Sequence, residues 1–245
     1  MFNAKSFILG AACCALLTGL YSFINGAPLA FGSGEADGAA QYVGKHDIKA
    51  SPYFAHPDVY NMQSHDGLII LSHFKTKQQN TGYTCGSTSA NMVVEYFLGK
   101  SLHTDNEIAK IMNTSTTKGT TLSGMVKYFK ELNWDVESTL DKKAPQNYES
   151  FLKFVKAHLQ AGVPIMVENV DWGGHWRVII GYDDMKSTHQ GDDVLILADP
   201  FDTSDHLQDG YNIISAERFY YMWFDHQLFK PGNQNKQWLA AKPKK

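Results

Sequence analysis

The stretch from Gln79 to Gly86 contains residue types suited to nucleophilic chemistry. Apolar residues that follow Cys85 at helical spacing predict a helix, and Cys85 falls in its first turn. Unpaired N–H groups and the dipole at a helix start stabilise a thiolate, and the same N–H groups can hold the oxyanion that forms when a thiolate attacks a carbonyl. Gly86 keeps side-chain bulk away from this point and is a candidate for substrate contact, and the Gln79 amide is a candidate second donor.

A thiolate nucleophile needs a base, and His175 is the candidate because it follows two glycines and opens a predicted strand. Imidazole titrates near neutrality, so it can take a thiol proton and return it to a leaving group. Gly174 leaves room for a substrate backbone beside the ring. Trp176 suits either a cleft wall or the core. Arg177 shares the strand face of His175, where it can bind a substrate carboxylate or form a structural ion pair.

Asp199 is the candidate for orienting the imidazole, because it ends an apolar predicted strand and is followed by Pro200. If this strand pairs with the one that begins at His175, a carboxylate at its end fixes the tautomer and favours the imidazolium. Each residue alone also has a structural explanation: an inert buried cysteine, a histidine at a strand start and a turn-forming Asp-Pro pair. Their order and context together predict a Cys–His–Asp site.

The elements that would position these residues are helices followed by strands. Helical spacing and end signals predict helices in four regions: from Cys85 to Gly99, from Thr104, from Leu122 to Leu132 and from Tyr148 to Gln160. Apolar runs at 67–71, 163–168, 175–180 and 194–198 predict strands, and 219–224 is a further strand or a helix end. Short turns between strands favour antiparallel pairing. We therefore expect an α+β domain, with an N-terminal helical half packed on an antiparallel β-sheet half.

Composition excludes several classes of protein. In the 245-residue chain, 43% of residues are hydrophobic and the net charge is −3, which excludes disorder for most of the chain. Only two of the basic residues are arginines, which argues against a nucleic-acid partner. Asp199, Asp202, Asp205 and Asp209 lack the glycine and terminal glutamate of a standard calcium loop, so we predict no metal and no cofactor.

The amino terminus has the pattern of an export segment. An uncharged apolar stretch follows Lys5, so residues 1–31 are interpreted as a signal peptide or an uncleaved membrane anchor. We expect a linker or arm at 32–60, the domain at 61–229 and a loose basic tail at 230–245. The predicted location is the periplasm, the cell envelope or the extracellular space. Cleavage would remove Cys13 and Cys14, leaving Cys85 without a disulfide partner.

The motifs Gln79…Cys85-Gly86, Gly174-His175-Trp176, Gly181-Tyr182-Asp183 and Asp199-Pro200 resemble family thirty-nine of the cysteine peptidases. That family includes peptidases that process bacteriocin leaders after a double glycine, usually fused to a membrane transporter. The resemblance spans about residues 67–225. It implies a papain-like fold, with Cys85 as nucleophile, His175 as general base, Asp199 as orienting residue and Gln79 as oxyanion donor.

The sequence thus predicts a stand-alone exported thiol hydrolase that cleaves a peptide or other amide. Two alternatives remain open at this point. The acyl-enzyme can pass to an amine or thiol, as in phytochelatin-synthase-like transferases, or the domain can be an inactive peptide-binding module. The predicted partner is a peptide or protein substrate, and membrane contact is expected only through the amino-terminal segment. The sequence leaves the oligomeric state open.

Overall fold

The computed structural model describes residues 57–203, 208–224 and 236–244. The predicted export segment at 1–31, and the part of the predicted linker that precedes residue 57, lie outside the described residues. Among the residues that are described, no helix has the length and apolar character needed to cross a membrane.

The helices begin and end where local hydrogen bonding favours it. They are α1 (Cys85–Leu98), α2 (Asp105–Ile111), α3 (Leu122–Glu131), α4 (Tyr148–Gln160) and α5 (Ala216–Met222). Gly99 ends α1 in the left-handed conformation, with φ 72°, which a residue without Cβ adopts at little cost. The capping box predicted for α2 is present, because the Thr104 and Glu107 side chains bond to each other's backbone N–H groups.

The strands form one seven-stranded antiparallel sheet. They are β1 (Leu68–Ile70), β2 (Trp134–Ser138), β3 (Ile165–Asn169), β4 (His175–Asp183), β5 (Val194–Ala198), β6 (Tyr211–Ser215) and β7 (Trp238–Pro243). Their order is β2-β7-β3-β4-β5-β6, and β1 pairs with the second half of β4. The α+β prediction is confirmed.

Helices cover both faces of this sheet. On one face, side chains of α1, α2 and α3 share a buried cluster with alternate residues of the strands, among them Trp176, Val178 and Leu239. On the other face, α4 and α5 pack on the residues between these, including Ile179 and Trp238. Because side chains alternate along each strand, both sets of strand residues are buried, and the apolar strands lack the polar outer face of a two-layer sheet.

The carboxyl-terminal end of the chain corrects the sequence-based boundaries. Residues 230–245 were predicted to be a loose basic tail, which is wrong for 236–244 because β7 lies inside the sheet between β2 and β3. A short apolar run, Trp238 to Ala241, lies between Lys236 and Lys242, and all four of its residues are buried. The domain therefore extends beyond the predicted limit at residue 229.

Other local differences are smaller. Residues 219–224 were interpreted as a strand or a helix end, and they contain the last turn of α5. Strands β2 and β6 were not predicted. Their burial patterns are irregular or half-exposed, so the sequence lacks both the continuous apolar run and the clean alternation by which strands are recognised.

The position of β7 predicts a stability effect. We expect Leu239→Ala to lower the free energy of unfolding by about 2–5 kcal/mol, because Leu239 is fully buried between β2 and β3. The matched substitution Lys242→Ala, at an exposed position of the same strand, should change it by less than about 0.5 kcal/mol. Urea unfolding measures both. Equal, negligible effects would mean that this segment is a tail after all.

Candidate active site

Cys85 is the first residue of α1, and its thiol is buried, with 6% of the residue exposed. The preceding residue, Thr84, does not cap the helix with its side chain, because its hydroxyl turns back to bond within the loop at Thr81. The first intrahelical bond runs from Thr88 N–H to the Thr84 carbonyl. The N–H groups of the first turn, including that of Cys85, therefore lie ahead of the helical ladder, where they favour negative charge.

Contacts along α1 fix the sulfur relative to the sheet. The Ser89 hydroxyl donates to the Trp176 carbonyl of β4 at 3.2 Å. On either side of Ser89 in the sequence, the side chains of Thr88 and Asn91 both donate to the buried carboxylate of Asp105, which joins α1 to α2. Because the Ser89 bond is made to the residue next to His175, the helix that carries the thiol is held directly against the strand that carries the imidazole.

Gly86 and Trp176 have packing roles. A Cβ on Gly86 would lie 2.6 Å from the Thr120 Cβ, so only glycine allows α1 to approach the segment before α3 this closely. The Trp176 indole is 1% exposed and donates to the Thr120 carbonyl at 2.8 Å. The structure thus places Trp176 in the core, one of the two positions that its sequence context allowed. Substrate contact by Gly86, Gly174 and Trp176 stays a prediction.

The imidazole of His175 lies between the thiol and a carboxylate. Its Nε2–H donates to Asp199 Oδ1 at 2.7 Å, and both residues are almost completely buried. The Cys85 side chain interacts with the charged form of the ring. Because Nε2 is bonded to Asp199, Nδ1 is the ring nitrogen that remains available to the sulfur. This meeting requires β4 and β5 to pair with Val178 opposite Ala198, because that register brings the end of β5 beside the start of β4.

Arg177 takes part in a buried chain of charges. Its Nε lies 3.0 Å from Asp199 Oδ2, in an approach that is close but not aligned as a hydrogen bond, so the attraction is mainly coulombic. Its Nη2 donates to Asp171, which lies in the turn before His175. The structural ion pair foreseen as one role for Arg177 is therefore present. Asp171 was not singled out in the sequence, because only the turn at 171–173 brings it back to β4.

The charges in this chain fix its protonation states. Burial alone lowers the pKa of His175, but the Asp199 carboxylate and the Cys85 contact raise it to about 9. Burial alone raises the pKa of Asp199, but the charges of Arg177 and His175, with the Phe201 N–H, lower it to about 2. At neutral pH the structure thus favours an imidazolium held between a carboxylate and the cysteine sulfur.

His175 and Asp199 should each make a pH-dependent contribution to the free energy of unfolding. The raised pKa of His175 means that its contribution is complete below the unfolded value near 6.5 and is lost as pH rises through about 9. The lowered pKa of Asp199 means that its contribution is present above about 3.9 and is lost as pH falls through about 2.

Gln79 lies in a loop that is bonded to the Asp199 loop. Its backbone N–H donates to the Pro200 carbonyl at 2.8 Å, and the neighbouring Gln78 side chain donates to the Asp199 carbonyl at 2.9 Å. The Gln79 side-chain amide is buried, and its Nε2 donates one hydrogen to the Thr81 carbonyl at 2.7 Å. An amide nitrogen carries two hydrogens, so one more is available for a ligand. The oxyanion role of Gln79 stays a prediction.

Within the described residues, no group of three or more His, Cys, Asp or Glu side chains is arranged to hold a metal ion. The acidic residues of the 199–209 segment that are described have other contacts. Asp199 binds His175, and Asp202 accepts the Gly210 N–H at 3.1 Å.

The charge chain predicts the titration of His175. In an NMR titration of the imidazole signals, we expect His175 to lose its proton with a midpoint near pH 9. Asp199→Asn should lower this midpoint by about 1–3 pH units, because the opposing effect of burial remains. Asp135→Asn, at an exposed position of β2, should leave it unchanged. A wild-type midpoint near 6.5, unmoved by Asp199→Asn, would contradict the proposed electrostatics.

The model of the Peptidase_C39 like family matches residues 71–225. The crystal structure of the peptidase domain of Streptococcus ComA, a bi-functional ABC transporter in a quorum sensing pathway, is 21% identical with a TM-score of 0.48, covering 70% of this chain and all of that one. The crystal structure of the peptidase domain of Streptococcus mutans ComA is 19% identical with a TM-score of 0.41. The match covers 69% of this chain and 100% of that one. No curated protein sequence matches significantly. The family match spans more than half of the chain, which therefore belongs to the C39-like cysteine peptidases.

Proposed function

We propose that this protein is a thiol hydrolase that cleaves a peptide bond through Cys85, His175 and Asp199. The observation that carries the proposal is the buried bond between His175 and Asp199, together with the interaction of the same ring with the thiol at an uncapped helix start. Membership of a cysteine peptidase family makes peptides the expected substrates.

In the first half of the reaction, the Cys85 sulfur attacks the carbonyl carbon of the scissile bond. A carbon–sulfur bond forms, and the carbonyl electron pair moves onto oxygen. The N–H of Cys85 lies ahead of the helical ladder and can donate to this oxyanion. The imidazolium of His175 then gives its proton to the amine, which leaves as the carbon–nitrogen bond breaks. Asp199 holds the ring in place and stabilises its charged form.

In the second half, neutral His175 takes a proton from water while the water oxygen attacks the thioester carbon. The carbon–sulfur bond breaks, a carboxylic acid product leaves, and the starting thiolate and imidazolium are regenerated. Both halves need the ring to remain close to the sulfur. The Ser89 bond from α1 to the strand of His175 maintains that closeness.

Gln79 is the second oxyanion donor in this proposal. Its Nε2 retains one hydrogen after bonding to Thr81, and its backbone is bonded to Pro200 beside the orienting carboxylate. These contacts support a fixed position for the amide relative to the rest of the site. The role is electrostatic, so it matters more in the transition state than in substrate binding.

Export is also part of the proposal. It is supported only by the amino-acid pattern of residues 1–31, namely a lysine followed by a long uncharged apolar stretch and small residues near its end. Fractionation of cells that produce the full chain, with and without residues 1–31, tests this part on its own. The complete chain should be found outside the cytoplasm and the shortened one inside it, and a cytoplasmic complete chain would contradict export.

Reactivity of the thiol gives a test that needs no substrate. We expect iodoacetamide at mildly acidic pH to label Cys85 rapidly, because the imidazolium stabilises the thiolate. His175→Ala should slow labelling, whereas His189→Ala, at an exposed position, should not. Mass spectrometry of the peptide that contains Cys85 measures the rate separately from Cys13 and Cys14. Slow labelling that is equal in all three proteins would reject the mechanism.

A peptide library, incubated with the wild type and with Cys85→Ala, identifies the substrate and tests the reaction. Hydrolysis should occur only with the wild type, and its products should carry oxygen from water. Products joined to an added amine or to glutathione would instead show transfer of the acyl group. Binding without any product would indicate a peptide-binding module.

Once a substrate peptide is in hand, Gln79 can be tested by kinetics. We expect Gln79→Ala to lower kcat by about 10²–10³-fold with a smaller change in KM, because an oxyanion donor acts on the transition state. The imidazole titration of His175 should keep its midpoint, which separates loss of the donor from collapse of the site. A change confined to KM would assign Gln79 to substrate binding instead.

A further inference from the structure

A second pocket lies behind the charge chain, at the end opposite to the sulfur. It is formed between the ends of β3 and β4, the strand β6 and the helix α5, and it has a volume of about 370 Å³. We call it the Arg218 pocket. Its polar lining includes Asn169, Asp171, Arg177, Asn212 and Arg218. Cys85, His175, Asp199 and Gln79 are not part of its lining, so it is separate from the position where the acyl-enzyme would form.

The charges of this pocket favour an anion. Both arginines of the chain line it. Asp171 and Asp199 carry two negative charges, and Arg177 and protonated His175 carry two positive ones, so the charge chain adds no net charge to the pocket. Arg218 is exposed and has no ion-pair partner among the described residues. A guanidinium presents several N–H donors in one plane, a geometry that fits a carboxylate.

Asn169 adds a requirement for a hydrogen-bond donor on the ligand. It lines the pocket, is 2% exposed, and its Oδ1 makes no hydrogen bond within the part of the chain that the structure describes. Buried amide oxygens are rarely left unsatisfied, because they have lost water without replacing it. A ligand that places an N–H group at this oxygen would satisfy it.

Apart from Ser215, the rest of the lining is apolar. Phe219 and Met222 of α5 and Ile213 and Ile214 of β6 form this part of the wall. The pocket therefore combines a guanidinium that has no ion pair within the described ranges, an amide oxygen that needs a donor, and a surface suited to an aliphatic side chain. A carboxylate, an N–H group and an apolar side chain occur together on the last residue of a peptide.

We propose that the Arg218 pocket binds the carboxyl-terminal residue of a peptide with an apolar side chain. Arg218 holds the carboxylate, and Asn169 Oδ1 accepts the N–H group of the same residue. Phe219 and Met222 contact the side chain. The proposal goes beyond the hydrolysis described above and does not depend on it, because no residue of the Cys85 site takes part in the binding.

The test uses full-length protein with Cys85→Ala, which removes turnover, and two probes that differ only in the group at the carboxyl end. N-acetyl-leucine carries the carboxylate, whereas N-acetyl-leucinamide carries a neutral amide in its place. Because the chain has only two arginines, the side-chain Nε–H region of an NMR spectrum should contain two arginine signals, which a lysine substitution assigns. We expect N-acetyl-leucine to shift the Arg218 signal with a Kd of about 1 mM, and the neutral probe to leave it in place.

Variants make the result specific. Arg218→Gln should weaken N-acetyl-leucine binding at least ten-fold, measured by calorimetry, while Lys153→Gln, at an exposed cation on α4, should have no effect. Asn169→Leu should weaken N-acetyl-leucine but not 4-methylpentanoate, which has the carboxylate and side chain without the N–H group. Equal binding of the charged and neutral probes, binding retained in Arg218→Gln, or no binding of either probe would overturn the proposal. Each of these results is independent of whether the wild type cleaves peptides.

Discussion

The buried contact between His175 and Asp199 is the interaction on which the candidate site depends. It is stable only as part of a longer chain of buried charges. Asp171, Arg177, Asp199 and His175 alternate in sign when the imidazole is protonated. A single charge transferred from water to a protein interior is costly, but each charge here has a neighbour of opposite sign. Removing one member leaves its partner buried and uncompensated. This explains why Arg177, which lies against the other oxygen of the same carboxylate, helps to keep Asp199 ionised.

The sheet supplies the geometry for this series. Arg177 and His175 share a face of β4, and Asp199 follows the strand that pairs with it. The thiol arrives from a separate element, and the bond from Ser89 to the backbone of β4 fixes its approach. Close contact of Gly86 with Thr120, whose carbonyl accepts the Trp176 indole, supports the same approach from the other side. The sulfur and the imidazole are thus held by contacts among their immediate neighbours.

Much of this arrangement was predictable, because it depends on local patterns. The apolar stripe of α1 and its final glycine place Cys85 at a helix start, and the capping box marks the start of α2. The apolar runs that end at Asp199 and begin at His175 predict two strands joined by a short connection. Arg177 was ambiguous, since one sequence position suits both a substrate contact and an ion pair. Its partner Asp171 depends on how a turn folds back, which sequence spacing does not reveal. Strand β7 was not predicted, because the lysines of residues 230–245 indicate an exposed tail. The burial of Trp238 to Ala241 depends on pairing with β2 and β3, which are distant in the sequence.

The place of β7 in the sheet has a consequence for the folding reaction. Strand β7 is the last strand in the chain, and it completes the hydrogen bonding of β3. The pairing of Ile165 with Ala240 can therefore form only after distant parts of the chain have come together. Closing so long a loop costs entropy before any stabilising contact forms, and proteins with high contact order fold slowly. Until then, β2 and β3 expose unpaired edges, which invite association with other chains. A chaperone that shields these edges should therefore raise the yield of native protein more than it raises the stability of the folded state.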